Sequence, residues 1–359
     1  MTTRRLDLAI LRVLAICAVV TIHVTGLTTT NADLRGTTVW WVAEVLNLGS
    51  RFCVPLFVMV SGALLLRPVT SETAAQFYRR RMSRLIPPLL FWYATYTLFS
   101  RLVLGTDKGA LEVLGLVLSG RTYTALYFFW LILGLYVITP ALRKLLDGVE
   151  PSQLVTLGVL LTAATCLWQT LALFINSYTE VDATSTPNAL SYWIPYVGYF
   201  VLGAGLARVT LQSRAALPAS VVLVASTALT VWVDSGEGPV ALRTIASDSY
   251  QGWGVALSSA ALFVLVCALC GHRPASGSTP GRAHRLLDTL GGATLGVFAG
   301  HLLILYALQH ADVLRVGSLT VAHGASHLSE LGFLLVVTTV LSFAFAVAGS
   351  KVVGVRRLV

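Results

Sequence analysis

Ten apolar runs of membrane-spanning length divide the chain, and they constrain its fold more than any other feature. An α-helix rises about 1.5 Å per residue, so roughly 20 apolar residues cross the hydrocarbon core of a bilayer. In addition, 56% of the residues are hydrophobic and only 11% are charged, which excludes a soluble globular protein. We therefore predict an all-α polytopic membrane protein with about ten transmembrane helices. The runs cover 8–27, 45–66, 85–104, 124–142, 153–175, 191–207, 217–234, 252–270, 292–309 and 331–350.

The charges between the runs predict which side of the membrane each loop occupies. If the first run starts in the cytoplasm, 17 of the 25 Lys and Arg residues fall in cytoplasmic segments and 7 in the opposite segments. Because Lys and Arg are enriched in cytoplasmic loops, both termini are expected in the cytoplasm. The net charge of +9 then reflects membrane topology, and no nucleic-acid partner is predicted. We expect one transmembrane domain over 1–359 and no separate soluble domain.

Two ionisable residues, Arg12 and His23, interrupt the first run. They are eleven positions apart, which is close to three helical turns, so both side chains face nearly the same direction about 16 Å apart. Charged and polar groups are costly to bury in a membrane and need a partner, water or a ligand. Neighbouring helices can satisfy either residue alone, whereas the aligned pair favours a functional site. Arg12 also argues that this run is an uncleaved helix and not a signal peptide.

The second run begins with polar residues and contains a step of small residues. Asn47 and Arg51 lie at its non-cytoplasmic end, and Ser61 precedes Gly62 deeper in the run. Close helix packing is the commoner use of such small residues, but Ser61 is also a candidate for contact with a substrate. Arg51 lies where few basic residues occur, so Arg51 and Asn47 are candidate substrate-binding residues.

The densest basic cluster of the chain consists of Arg79, Arg80, Arg81 and Arg84. One interpretation is an electrostatic anchor on anionic lipid headgroups. The other is a phosphate clamp, because guanidinium groups bind phosphate oxygens through two parallel hydrogen bonds. The position of the cluster favours the clamp only slightly.

Aromatic and histidine residues in the later runs provide further candidates. The sequence YFFW at 127–130 is typical of an aromatic belt at a membrane boundary, and Trp130 is also a candidate substrate contact. His301 lies within a run, and because a histidine at membrane depth is a functional candidate, His301 is also a candidate substrate-binding residue. His323 and His327 have helical i, i+4 spacing, but no third ligand accompanies them, so no metal site is predicted.

Three of these features together resemble the acyltransferase-3 superfamily of integral membrane O-acyltransferases. Arg12 and His23 match the R-x10-H motif of that family, and Arg81 and Arg84 match its RxxR motif. The sequence VPLFVMVSG at 54–62 is similar to the family's second helix. The resemblance extends over nearly the whole chain.

Smaller matches refine the resemblance, and one position departs from it. The segments at 127–140 and 296–301 resemble later family patterns, the second of which ends in a histidine. The sequence NLGSRFCVPLF at 47–57 most resembles the branch of the family that contains the acetyltransferase of enterobacterial common antigen. The family commonly has an acid three residues before the arginine, where this chain has Ala9. Asp7 lies on a different helical face, so the role of that acid is not transferred to it.

The resemblance implies an acyl-CoA-dependent O-acyltransferase of the bacterial inner membrane. Acyl-CoA, most commonly acetyl-CoA, would enter from the cytoplasm as co-substrate, with its phosphates on Arg81 and Arg84 and with Arg79 or Arg80 assisting. Its thioester would pass Arg12 and meet His23, the general base for an acceptor hydroxyl. Direct transfer and an acyl-histidine intermediate both remain open. The acceptor would be a cell-surface glycan, a lipid-linked saccharide or a natural product, in contact with membrane lipid.

Two other classes of protein also fit parts of the sequence. A transporter or flippase would use intramembrane Arg and His residues and a basic cytoplasmic entrance, but no internal repeat is visible. A non-catalytic membrane scaffold explains the topology and leaves the aligned Arg12 and His23 unexplained.

Overall fold

A computed structural model describes residues 5–67, 72–184, 187–236, 240–270, 281–310 and 325–358. Within these ranges the protein is all-helical, with 14 α-helices and no β-strand. The helices are α1 (Leu6–Thr30), α2 (Thr38–Gly49), α3 (Cys53–Leu65), α4 (Ala74–Leu102), α5 (Ala110–Leu118), α6 (Tyr127–Leu145), α7 (Pro151–Tyr178), α8 (Val197–Leu206), α9 (Ala216–Asp234), α10 (Val240–Ile245), α11 (Trp253–Cys270), α12 (Arg282–Gly292), α13 (Thr294–His310) and α14 (Leu328–Lys351).

Seven helical spans in the described ranges are long and apolar enough to cross a membrane, which makes this a multi-pass membrane protein. An eighth is added if α12 and α13, which are bent by 63°, form one span. Each of the ten predicted runs overlaps a helix, but the number ten is not confirmed. The third run lies in α4, which includes the basic cluster, and the sixth folds as the shorter helix Ile194–Leu206.

Helix α4 starts well before the apolar run that predicts it, and local capping explains why. The side chain of Thr73 accepts a hydrogen bond from the backbone N–H of Gln76 at 3.3 Å. The side chain of Gln76 accepts one from the backbone N–H of Thr73 at 3.0 Å. This capping box satisfies two amide groups that a helix start leaves unpaired. As a result, the basic cluster lies on the first turns of α4 and not in a loop.

Helix α1 lies at the centre of the bundle and packs against α2, α3, α11, α12, α13 and α14. Its buried residues include Leu11, Ala15, Ile16 and Val20, none of which has exposed surface. We call the side of the bundle where α1 begins the near side and the side where α1 ends the far side. The depth of any other residue in the bundle is given by the part of α1 that lies beside it.

Glycines bring α8 into direct backbone contact with α3 and α7. A Cβ atom on Gly62 of α3 would lie 1.8 Å from the carbonyl oxygen of Phe200. A Cβ on Gly203 of α8 would lie 2.1 Å from the carbonyl oxygen of Met59. Small residues permit such close approach between membrane helices. Gly62 is thus a packing residue, as the commoner interpretation of the Ser61-Gly62 step expects.

We expect Gly62→Ala to destabilise the protein by about 1–3 kcal/mol, because the added methyl group must displace the backbone of α8. Thermal unfolding in detergent measures this loss. Gly332→Ala on α14 is the matched control, since a Cβ there meets nothing within 4 Å. Equal melting temperatures for the two variants would contradict the close packing of α3 on α8.

Three arginines on the near side hold the end of α3. Arg67 Nε donates to the carbonyl oxygen of Ala63 at 3.0 Å, and Arg143 Nε donates to that of Leu65 at 2.6 Å. Arg208 donates to the carbonyl oxygen of Leu66. The last turn of a helix leaves its carbonyl groups without partners, and cations there also interact favourably with the helix dipole.

Glu72 compensates part of this positive charge. One of its carboxylate oxygens lies 2.9 Å from Nη1 of Arg143. The hydrogen bond from Arg143 holds the pKa of Glu72 below its ordinary value. Arg143 therefore pairs with a carboxylate while it holds the end of α3.

Candidate active site

Arg12 and His23 line two different cavities at successive depths along α1. The near cavity, of about 230 Å³, contains Arg12 in its wall. The far cavity, of about 520 Å³, contains His23. The aligned pair predicted from the sequence thus faces space at two depths of the bundle.

The near cavity combines guanidinium groups with an apolar wall. Arg81 and Arg84 of α4 join Arg12 in its lining, together with Ser61 of α3 and Tyr136 of α6. The early start of α4 is what brings the two RxxR arginines to this position. Such a cavity fits a ligand that carries phosphates at one end and an uncharged chain at the other.

Arg81 has a donor that the described part of the protein does not satisfy. Its Nε is buried and has no hydrogen-bond partner among the described residues, while its guanidinium carbon lies 5.8 Å from the ring centroid of Phe77. A buried donor without a partner costs free energy unless a ligand or water binds it.

Arg79 and Arg80 do not line the near cavity, unlike their neighbours in the cluster. Both are exposed, and Arg80 pairs with Glu72 at 3.7 Å. The sequence treats the four arginines as one patch, whereas in the structure only Arg81 and Arg84 line the near cavity, with Arg84 itself exposed. The expectation that Arg79 or Arg80 assists in holding the ligand stays a prediction, for which the lining of the near cavity gives no support.

The far cavity contains His23, Asn47 and Arg51. Arg51 Nη2 lies 3.2 Å from a carboxylate oxygen of Asp248, which compensates its charge. The Nε of Arg51 is buried and without a hydrogen-bond partner within the described ranges. Tyr127 also contributes to the wall. The far cavity therefore presents polar groups and no uncompensated cation among these residues.

Asn47 holds α1 on both sides of His23. Its amide donates to the carbonyl oxygen of Ile22 at 3.1 Å and to Oγ1 of Thr25 at 2.9 Å. Since both amide N–H groups contact α1, Asn47 positions this part of the helix as well as lining the cavity.

His301 of α13 lies beside His23. The centroids of the two imidazole rings are 5.1 Å apart, and His301 is fully buried. Its Nδ1 lies 2.7 Å from the carbonyl oxygen of Phe298, which can only accept, so Nδ1 carries the proton. Nε2 is then an acceptor, and it is buried without a hydrogen-bond partner among the described residues. The sequence identifies both histidines but gives no sign that they meet.

Two phenylalanines, Phe128 and Phe298, separate the two cavities. Both line the near cavity as well as the far cavity, and their ring centroids are 5.0 Å apart. Neither residue was identified from the sequence as part of a site. For Phe128 the reason is that YFFW at 127–130 is typical of an aromatic belt at a membrane boundary. Phe129 of that motif is only 1% exposed and lines the near cavity. Trp130 lines neither cavity and packs against Tyr93, with the ring centroids 6.1 Å apart.

Two other sequence predictions concern metal binding and Asp7. No group of three or more His, Cys, Asp or Glu side chains suited to a metal ion occurs in the described ranges, and His323 lies outside them. Asp7 is buried, pairs with Arg5 and accepts a hydrogen bond from Cys267 Sγ at 3.4 Å. This carboxylate ties the start of α1 to α11 and lines neither cavity.

One comparison with known proteins gives a match. The family model of the acyltransferase-3 family, described as an acyltransferase domain, matches residues 5–348. No curated protein and no solved structure matches the chain. The family match covers nearly the whole chain and does not single out the branch suggested by the sequence at 47–57.

Proposed function

The chain belongs to the acyltransferase-3 family, and we propose that this membrane acyltransferase moves an acyl group from cytoplasmic acyl-CoA to a hydroxyl group across the membrane. The observation that carries the proposal is that His23 lines the far cavity, which shares the walls formed by Phe128 and Phe298 with the near cavity. One cavity is lined by three arginines and the other by uncharged or charge-compensated groups.

The proposed orientation places the near side in the cytoplasm of a bacterium. The basic residues of the near side, among them the cluster on α4 and the three arginines around the end of α3, support it through the positive-inside rule. Both termini then lie in the cytoplasm, and the whole chain forms one transmembrane domain. The far cavity faces the opposite side of the membrane.

The near cavity is the proposed donor site. Arg81 and Arg84 bind the phosphates of coenzyme A through charge-assisted hydrogen bonds, for which the buried Nε of Arg81 is available. Arg12, deeper along α1, contacts the pantetheine arm. Ser61 lies in the same wall. Arg79 and Arg80 are not part of this proposed clamp.

In the proposed reaction, His23 carries a proton from the hydroxyl oxygen of the acceptor to the thiolate sulfur of coenzyme A. Its imidazole takes the proton of the acceptor hydroxyl as the oxygen attacks the thioester carbonyl carbon. The carbon–sulfur bond then breaks, and the same proton passes to the leaving thiolate, which departs as free coenzyme A. An acyl-histidine intermediate would reach the same products in two steps.

His301 is proposed to position His23 and not to touch the substrate. Its ring packs beside that of His23 and limits the orientations of that imidazole, while its own Nε2 has no hydrogen-bond partner among the described residues. A base that is oriented by a third group is a recurrent arrangement in acyl transfer.

The far cavity is the proposed acceptor site. Because Asp248 compensates the charge of Arg51, the cavity suits a hydroxyl-rich group such as the sugar of a glycan, of a lipid-linked saccharide or of a natural product. Arg51 and Asn47 are the polar side chains that would contact it.

The main alternative is a transporter or flippase, which two cavities at successive depths of the bundle would also suit. Binding and slow hydrolysis of acetyl-CoA by the detergent-purified protein separate the two functions, because a transporter has no use for the coenzyme. We expect saturable binding and release of free thiol above the uncatalysed rate. Protein that neither binds nor hydrolyses acetyl-CoA would contradict the acyltransferase proposal and leave transport as the function to test.

A further inference from the structure

We infer that Phe128 and Phe298 restrict the transferred acyl group to short chains of about two to four carbons. This inference rests on the proposed function, because it concerns the donor that the near cavity would hold. Phe128 lies within the segment at 127–140 and Phe298 within the segment at 296–301, and the family resemblance assigns no role to either ring.

The position of the two rings supports this inference. His23 lines the far cavity, the arginines line the near cavity, and these two phenylalanines line both. A thioester whose phosphates lie on Arg81 and Arg84 must therefore present its carbonyl carbon to His23 at the rings. The acyl chain beyond that carbon lies against them.

The rings belong to a packed aromatic group. Phe57 lies 5.8 Å from Phe128, and Phe129 lies 5.8 Å from Phe298, measured between ring centroids. All four line the near cavity. Protein interiors are close-packed, so each added methylene must displace a ring or forfeit contact.

Phe298 also packs against His301. Its carbonyl oxygen accepts the hydrogen bond from Nδ1 of His301, and the centroids of the two rings are 6.2 Å apart. Phe298 is only 6% exposed. The ring of Phe298 therefore packs between the other phenylalanines and the histidine that is proposed to position His23, which leaves it little room to move for a longer chain.

The test compares acetyl-CoA, butyryl-CoA and octanoyl-CoA as donors for the purified full-length protein. The measured quantity is kcat/KM for release of free thiol from each donor. Phe128→Ala and Phe298→Ala are expected to raise the ratio of this value for octanoyl-CoA to that for acetyl-CoA at least ~10-fold, because they open space at the rings. Phe128→Leu and Phe298→Leu, which retain more volume, serve if the alanine variants do not fold, and a smaller rise in the same direction is expected.

Phe174→Ala is the control, because Phe174 is 48% exposed on α7 and lines neither cavity. An unchanged ratio in all folded variants, or an unmodified protein that uses octanoyl-CoA as well as acetyl-CoA, overturns the inference and leaves the proposed function intact. A protein that accepts none of the three donors overturns the proposed function, and the inference falls with it.

Discussion

Replacing His23 with alanine is expected to slow acyl transfer by about 1,000-fold, which is within the usual contribution of a general base. The variant should still bind acetyl-CoA with a Kd within about threefold of that of the unmodified protein. The two quantities separate because the arginines that would hold the coenzyme line the near cavity, whereas His23 lines the far one. Alanine removes the group that takes the proton and leaves the donor site complete.

Single-turnover transfer from acetyl-CoA measures the rate, and calorimetry in detergent measures the binding. His310→Ala is the matched control, since His310 is an exposed histidine that stacks on Tyr306 and lines neither cavity. A His23→Ala variant that transfers at the unmodified rate would remove the base from the mechanism. One that loses binding as well would indicate a structural role.

The positioning role of His301 is tested within the same experiment. Two residues that act as a unit show strongly non-additive effects, so His301→Ala should cause little further loss in the His23→Ala background. Full additivity would mean that His301 acts on the substrate by itself. The ring spacing of 5.1 Å supports the first outcome.

Features that follow from helical geometry within one segment could be predicted from the sequence. Arg12 and His23 face cavities along one helix because eleven residues make nearly three turns. Arg81 and Arg84 reach the near cavity because α4 begins at Ala74, and the T-x-x-Q capping signal at Thr73 was present in the sequence. Arg79 and Arg80, on the same turns of the helix, do not line that cavity.

Features that depend on contacts between distant segments could not be predicted. His301 is remote from His23 along the chain, and no local sequence pattern predicts that α13 packs beside α1. Phe128 belongs to a motif whose composition suits a membrane boundary, but the packing of α6 turns it toward the cavities. The number of spans is likewise not confirmed, since the sixth apolar run folds as the shorter helix Ile194–Leu206.

Removing the proposed phosphate clamp has the second large expected effect. The double variant Arg81→Ala/Arg84→Ala should weaken acetyl-CoA binding by about 100-fold or more, because each charge-assisted hydrogen bond contributes roughly 1.5–3 kcal/mol. Once the coenzyme is bound at saturating concentration, the transfer step should be nearly normal, since His23 is unchanged. The expected signature is therefore a raised KM with a kcat close to that of the unmodified protein.

Arg79→Ala/Arg80→Ala is the decisive control, because it removes the same charge from adjacent turns of the same helix. These two side chains are exposed and line neither cavity, so the variant should change Kd by no more than about threefold at physiological salt. If both double variants weaken binding equally, and added salt removes the difference from the unmodified protein, the arginines act only through their general positive potential. If only Arg81 and Arg84 matter and Arg81→Lys/Arg84→Lys does not restore affinity, the two-pronged geometry of the guanidinium groups is what binds the phosphates.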